Sequence, residues 1–187
     1  MNYYRSPAIA TRSALDDFEV VAFKPKHLDA VKSLLTESFG GIAESRGALD
    51  KNILKYYKLV LDEDVLVSLT GIVPSDYSVF DGYEVSWTCT SPKYRNGGIC
   101  TELLRKCILE LPDDGIPVFC DCWRFPGCQI NLLGPMLNNG FRLLVPEASV
   151  FSTKFSKICK SCPYEHRGEF GCKCYTDIWK LERKPVA

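Results

Sequence analysis

The sequence is short of histidine, of net charge and of long apolar runs, and each shortage removes a class of protein. Its 187 residues include two histidines, His27 at the start of a helix pattern and His166 in the tail, which argues against a His-based triad. Lys plus Arg number 23 and Asp plus Glu number 23, so the formal net charge is zero. A chain without a basic excess is not a nucleic-acid binder by bulk charge. The longest apolar runs, such as Leu59–Leu61 and Val65–Val67, fall far short of the roughly 20 residues that span a bilayer. Neither nucleic acid nor membrane is therefore an expected partner. Residues 1–17 hold Arg5, Arg12, Asp16 and Asp17 among small polar residues and lack the apolar core of a signal peptide, so a cytoplasmic location is expected. There is no internal repeat, no low-complexity segment, no P-loop lysine pattern and no GxGxxG. What is present is ordinary for a globular chain: 46% hydrophobic and 25% charged residues, at a length that suits one domain.

The order of elements is legible. Phe18–Phe23 reads as a strand, and Pro25 opens a helix whose Leu28, Val31, Leu34, Leu35 and Phe39 recur at helical spacing before Gly40 and Gly41. A second helix is expected over Ala48–Tyr57. Strands follow at Lys58–Leu61, Val65–Val73 and Tyr83–Thr90, then a helix at Ile99–Leu111, a strand at Ile116–Trp123 and a helix at Ile130–Asn139 ending on Gly140. Strands at Phe141–Phe151 and Tyr175–Glu182 close the chain. Alternation of this kind predicts an α/β fold, one mixed sheet with helices on both faces.

Tyr94–Leu104 (YRNGGICTELL) carries the strongest functional signal. A strand ends, a glycine loop follows and a helix begins. Free N–H groups at a helix start form an anion site to which the helix dipole adds. Gly97 and Gly98 allow close approach to the backbone, and Arg95 adds a guanidinium. The chemistry suggested is a pyrophosphate resting on amides. Taken alone, the pattern fits an ordinary β–α turn equally well.

The arrangement resembles the GNAT superfamily of N-acetyltransferases. Their hallmark is an Arg/Gln-x-x-Gly-x-Gly/Ala turn between the fourth strand and the third helix, which holds the pyrophosphate of acetyl-CoA. Here the turn reads Arg95-Asn96-Gly97-Gly98-Ile99-Cys100. Arg95 and Gly98 fit, while Cys100 takes the last small-residue slot and sets a thiol beside the expected cofactor. The resemblance runs from about Phe18 to Phe151 and includes the Gly-Phe turn within Asn138–Arg142. It implies a GNAT-like core over residues 18–155, preceded by an N-terminal extension over 1–17; residues 156–187 hold a cysteine-rich, zinc-binding loop inserted before the last strand, and that strand itself. It further implies acetyl-CoA as co-substrate and an amine acceptor, either a small amine or a peptide amine.

Acetyl transfer to an amine needs a neutral amine, stabilisation of a developing oxyanion and a proton for the leaving thiolate. Some members of the resembling family place a glutamate eleven residues before the turn's Arg/Gln, which here is Glu84. The alternative for Glu84 is a solvated edge residue. By the same resemblance, a main-chain amide near Cys89 or Thr90 is the oxyanion donor. The tyrosine that serves many members as general acid lies four residues before the Gly of Gly-Phe, and that position holds Met136, which has no proton to give. A non-catalytic acyl-CoA-binding or zinc-stabilised interaction protein of the same fold is the competing reading.

The chain has ten cysteines, and four of them form Cys159-x-x-Cys162 and Cys172-x-Cys174. Two such pairs separated by nine residues can converge on one tetrahedral Zn2+, with His166 a substitute ligand. Disulfides, a redox pair or thiols without a role are the alternatives. The setting lacks the strand-CxxC-helix context of a thiol-redox enzyme. Cys120 and Cys122 share one strand face and read as buried small hydrophobes. The zinc expectation is checked by elemental analysis of protein purified without chelator: about one zinc per chain, and four newly reactive thiols after metal removal. A metal-free preparation with Cys159–Cys162 or Cys172–Cys174 oxidised would contradict it.

Overall fold

The computed structural model describes residues 12–40, 42–45, 47–78, 80–124, 132–149 and 175–184. Seven strands, β1 (Glu19–Ala22), β2 (Tyr57–Asp62), β3 (Val65–Val73), β4 (Tyr83–Thr90), β5 (Val118–Arg124), β6 (Arg142–Ser149) and β7 (Tyr175–Leu181), form one sheet in the order β1-β2-β3-β4-β5-β7-β6. Every neighbouring pair is antiparallel except β4 and β5, which are parallel. Among the described residues the α-helices are α1 (Leu28–Phe39), α2 (Ile42–Ser45), α3 (Lys51–Leu54), α4 (Ile99–Leu109) and α5 (Leu133–Asn138).

Both faces of the sheet are covered, as the element order predicts. Val31, Leu34 and Leu35 of α1 pack on Leu59, Leu61, Leu69 and Cys89. On the opposite face, Ile99 and Leu103 of α4 meet Val60 and Val67, while Leu104 and Cys107 meet Ile72, Val85, Val118, Cys120 and Cys122. Met136 of α5 and Trp179 of β7 complete that second core. Leu15 and Phe18 pack against Val60, Val67, Ile99 and Leu103, so part of the stretch expected as an extension lies on the α4 face of the sheet.

The helix expected over Ala48–Tyr57 is corrected. Asp50 accepts a hydrogen bond from the Asn52 N–H (2.8 Å) and starts a helix that ends at Leu54. Tyr57 belongs to β2 instead. It sits opposite Gly71 of β3, its ring fills the space a Cβ at Gly71 would need, and its hydroxyl donates to the Ala48 carbonyl at 3.0 Å. Burying that ring over a bare glycine outweighs the local helical spacing.

Gly71 marks a second irregularity. Thr70 pairs with Thr88 and Ile72 with Val85, so the two residues Ser86 and Trp87 of β4 face the single residue Gly71. This is a β-bulge, and a bulge bends its strand and re-aims the side chains it carries.

Cys159, Cys162, Cys172 and Cys174, together with His166 and Cys128, lie outside the described residues. Among the described residues, no group of three or more His, Cys, Asp and Glu side chains is arranged to hold a metal ion. None of the described helices is long and apolar enough to cross a membrane.

Five described cysteines, Cys89, Cys100, Cys107, Cys120 and Cys122, are free thiols, and all but Cys100 are buried. Cys120 and Cys122 stand 3.7 Å apart, sulfur to sulfur, inside the core. Burial pushes the thiols of Cys89, Cys100 and Cys107 up to about 12. Such a thiol stays neutral in the folded chain after its unfolded counterpart has ionised. Each therefore lowers stability as pH rises above the ordinary thiol value of 9.0 towards about 12. The loss is about 1.4 kcal/mol per pH unit for each thiol. Urea unfolding between about pH 9 and 10 should show a shallower decline for Cys107→Ala than for wild type; parallel slopes would contradict the burial of this thiol.

Candidate active site

The glycine turn is built by its neighbours. Pro92–Tyr94 form a short 3-10 turn after β4, anchored where the Tyr94 hydroxyl donates to the Asp62 carboxylate at 2.7 Å. The Tyr94 ring also lies edge-on to Phe18. Arg95 donates from Nε to the Thr90 carbonyl at 3.0 Å, which ties the turn to the end of the strand it leaves. Asn96 (φ 65°) and Gly98 (φ 81°) are left-handed, a conformation that asparagine tolerates and glycine adopts freely.

The Glu102 N–H makes the first helical bond of α4, to the Gly98 carbonyl at 3.1 Å. The N–H groups of Ile99, Cys100 and Thr101 thus have no acceptor within the helix and mark its positive end. A Cβ on Gly98 would lie 3.3 Å from the Ala14 methyl, and one on Gly97 would meet nothing nearer than the Tyr94 carbonyl at 3.8 Å. The donor set and the bare backbone fit a diphosphate. Cys100 is half-buried there, and its raised thiol is neutral at physiological pH, so it is not poised as a nucleophile.

Beside the turn the sheet comes apart. β4 and β5 pair at three positions only, Tyr83↔Val118, Glu84↔Phe119 and Val85↔Cys120. The pairing stops where the bulge at Ser86 and Trp87 begins. The phase of the β3–β4 ladder then decides which amides face the gap. The Ser91 N–H donates to the Val67 carbonyl at 2.8 Å, so directly opposite pairs alternate from there. Cys89 turns its N–H towards β3, whereas Thr88 and Thr90 turn theirs towards β5. Of the two residues expected to offer an oxyanion donor, Thr90 presents its amide to the opening. Cys89 gives its side chain to the α1 core and its amide to the ladder.

Glu84 lies in an interior strand rather than at an edge, and it is half-buried. Its carboxylate accepts a hydrogen bond from the Ser78 hydroxyl at 2.8 Å, and that hydroxyl accepts from the Phe80 N–H at 2.9 Å. Alternation puts Glu84 on the α1-facing side, since Val85 points into the α4 core. Met136 is 0% exposed, enclosed by the α4-face core. Thr88 and Ser78 escaped the sequence reading. Thr88 carried a signal, two residues before Thr90 on the same edge of one strand; the loop position of Ser78 carried none.

No family model matches the sequence, and no curated protein matches it. Solved structures do match. A GNAT-family acetyltransferase from Bacillus cereus superposes with a TM-score of 0.61 at 14% identity, covering 89% of this chain and 97% of its own. The ribosomal-protein-S18-alanine N-acetyltransferase of Escherichia coli gives 0.62 at 12% identity, covering 91% and 96%. An aminoglycoside 6'-N-acetyltransferase solved with coenzyme A gives 0.60 at 13% identity, covering 90% and 99%. The mixed seven-stranded sheet flanked by helices is the fold of the GNAT acetyltransferases.

Proposed function

We propose that this protein is an N-acyltransferase that moves an acetyl group from acetyl-CoA to an amine, either a small amine or a peptide amine. The observation that carries the reading is the opening between β4 and β5 set directly beside the bare glycine turn. Acetyl-CoA, when bound, supplies the acetyl group and a thiolate leaving group. The amides of Gly97, Gly98, Ile99 and Cys100 hold the diphosphate, with Arg95 and Asn96 shaping the turn. The strand edge at Cys89 and Thr90 would receive the thioester, and the Thr90 N–H would stabilise negative charge on the carbonyl oxygen. The Thr88 N–H offers a second main-chain contact along the same edge. Glu84 takes a proton from the amine, held in place by Ser78.

Met136 favours a second reading, an acyl-CoA-binding protein of the same fold that does not turn its ligand over, because the general-acid slot is filled by a buried thioether. The free thiols of the described residues suit the reducing cytoplasm. A zinc ion on Cys159, Cys162, Cys172 and Cys174 stays a proposal that rests on their spacing.

Two variants test the reading together. Gly98→Val places a branched side chain at φ 81° against Ala14, and should weaken acetyl-CoA binding about tenfold or more by calorimetry while the protein stays folded. Glu84→Gln should keep acetyl-CoA affinity and lower turnover over an amine panel by about 10²-fold or more. Acetyl-CoA binding without CoA release from any amine would favour the non-catalytic reading. Unchanged affinity in folded Gly98→Val would remove the turn from the site.

A further inference from the structure

The stretch before β1 lies against the glycine turn. Residues 13–18 form a strap whose hydrogen bonds close on themselves. The Asp16 N–H donates to the Ser13 carbonyl at 3.2 Å, the Phe18 N–H to the Leu15 carbonyl at 3.0 Å, and the Leu15 N–H to the Ser13 hydroxyl at 3.3 Å. Its contacts with the turn are apolar. At one end of the turn, Phe18 meets the Tyr94 ring edge-on, with centroids 6.2 Å apart. At the other end, the Ala14 methyl stands 3.3 Å from the place a Gly98 Cβ would take. Leu15 and Phe18 also pack on the cluster that buries Ile99, the first residue of α4.

Beyond that first turn the strap and the helix part. A groove of about 600 Å³ opens between them, with Leu15 and Phe18 on one wall and Arg105 and Leu109 on the other. The grip of the strap is therefore concentrated at the start of α4.

Both partners of the Phe18–Tyr94 contact are anchored to one end of β2. β1 begins at Glu19, which pairs with Leu61, and the Tyr94 hydroxyl is bonded to the neighbouring Asp62. Between the gripped ends lie Asn96, Gly97 and Gly98, and Asn96 and Gly98 are left-handed. A run with two glycines samples many backbone states on its own. A ligand that needs one of those states binds more tightly when the state is selected beforehand. A ring against Tyr94 and a methyl against Gly98 restrict the run from both sides.

Resting on the acyltransferase reading above, we propose that the strap is a clamp on the acyl-donor site: Phe18 and Ala14 hold the two ends of the glycine turn and so fix the amides that receive the diphosphate of acetyl-CoA. Phe18 is a positioning residue that acts through Tyr94. Linkage makes the effect reciprocal, so a donor that binds the ordered turn also tightens the strap.

The test uses the full chain and calorimetric titration with acetyl-CoA. F18A should weaken binding about tenfold or more, and F18L, which restores apolar bulk, should recover most of the loss. V20A thins the same cluster from β1, and should lower unfolding stability without moving that affinity. In turnover, F18A should raise KM for acetyl-CoA and leave kcat within about twofold of wild type. In the reciprocal direction, acetyl-CoA should slow amide exchange at Asp16 and Phe18 of wild type. An F18A protein that binds acetyl-CoA as tightly as wild type overturns the proposal. So does tighter binding, which would make the strap an inhibitor, and so does a loss in V20A as large as that in F18A. Exchange in the ligand-free protein separates the clamp from the acyltransferase reading. The hydrogen-bonded amides of Tyr94 and Glu102, which flank the turn, should exchange about tenfold faster in F18A than in V20A. If acetyl-CoA does not bind wild type but that difference is found, the acyltransferase reading fails and the clamp stands; equal rates overturn the clamp.

Discussion

One extra residue in β4 sets the geometry on which the site depends. Ser86 and Trp87 together face Gly71, and pairing between β4 and β5 ends just before them, at Val85. A regular strand in this position would continue its ladder and bury its own amides. The bulge instead leaves Thr88 and Thr90 with N–H groups turned towards a strand that has moved away. It also moves Trp87 to the lip on the α1 side. The irregularity is held from β2, where the Tyr57 ring lies over the glycine that faces the bulge and its hydroxyl is tied to Ala48. A side chain at Gly71 would displace that ring, so the bulge and the ring share one space.

The opening divides the labour of the two faces. On the α4 side, the helix start and the left-handed turn present amides that fit a diphosphate, and Arg95 fixes that turn to the end of β4. On the α1 side, Glu84 stands opposite Phe119 of β5 and is tied to Ser78. The thiols nearest the opening do not compete as nucleophiles, because burial holds those of Cys89 and Cys100 neutral. On the proposed acyltransferase reading, the proton balance falls to Glu84 and to solvent, since Met136 has no proton to offer.

Much of this was legible in the residues. The bounds expected for Val65–Val73 and Tyr83–Thr90 coincide with β3 and β4, because β-branched and aromatic residues run between clear turn signals at Asp62–Asp64, Pro74 and Pro92. The turn at Arg95–Cys100 was readable from its glycines, and the buried character of Cys120 and Cys122 from their spacing. The second helix misled, because Leu49, Ile53 and Tyr56 recur at helical spacing, while the next residue, Tyr57, has its tertiary partner in Gly71 of β3. The bulge could not be read. Val85 and Thr88 share a face across three residues, which looks like a break in alternation until the pairing with β3 is known. The tail cysteines lie outside the described residues, and their reading rests on spacing alone.

The account stands on the claim that the gap between β4 and β5 receives the acyl donor along the edge of β4. Amide hydrogen exchange with and without saturating acetyl-CoA tests it residue by residue. The amides of Thr88 and Thr90 should slow on binding, as should those of Gly98–Thr101, while the Cys89 amide, already committed to the ladder with β3, should change little. Unchanged exchange at Thr88 and Thr90 in protein saturated with acetyl-CoA would contradict the account.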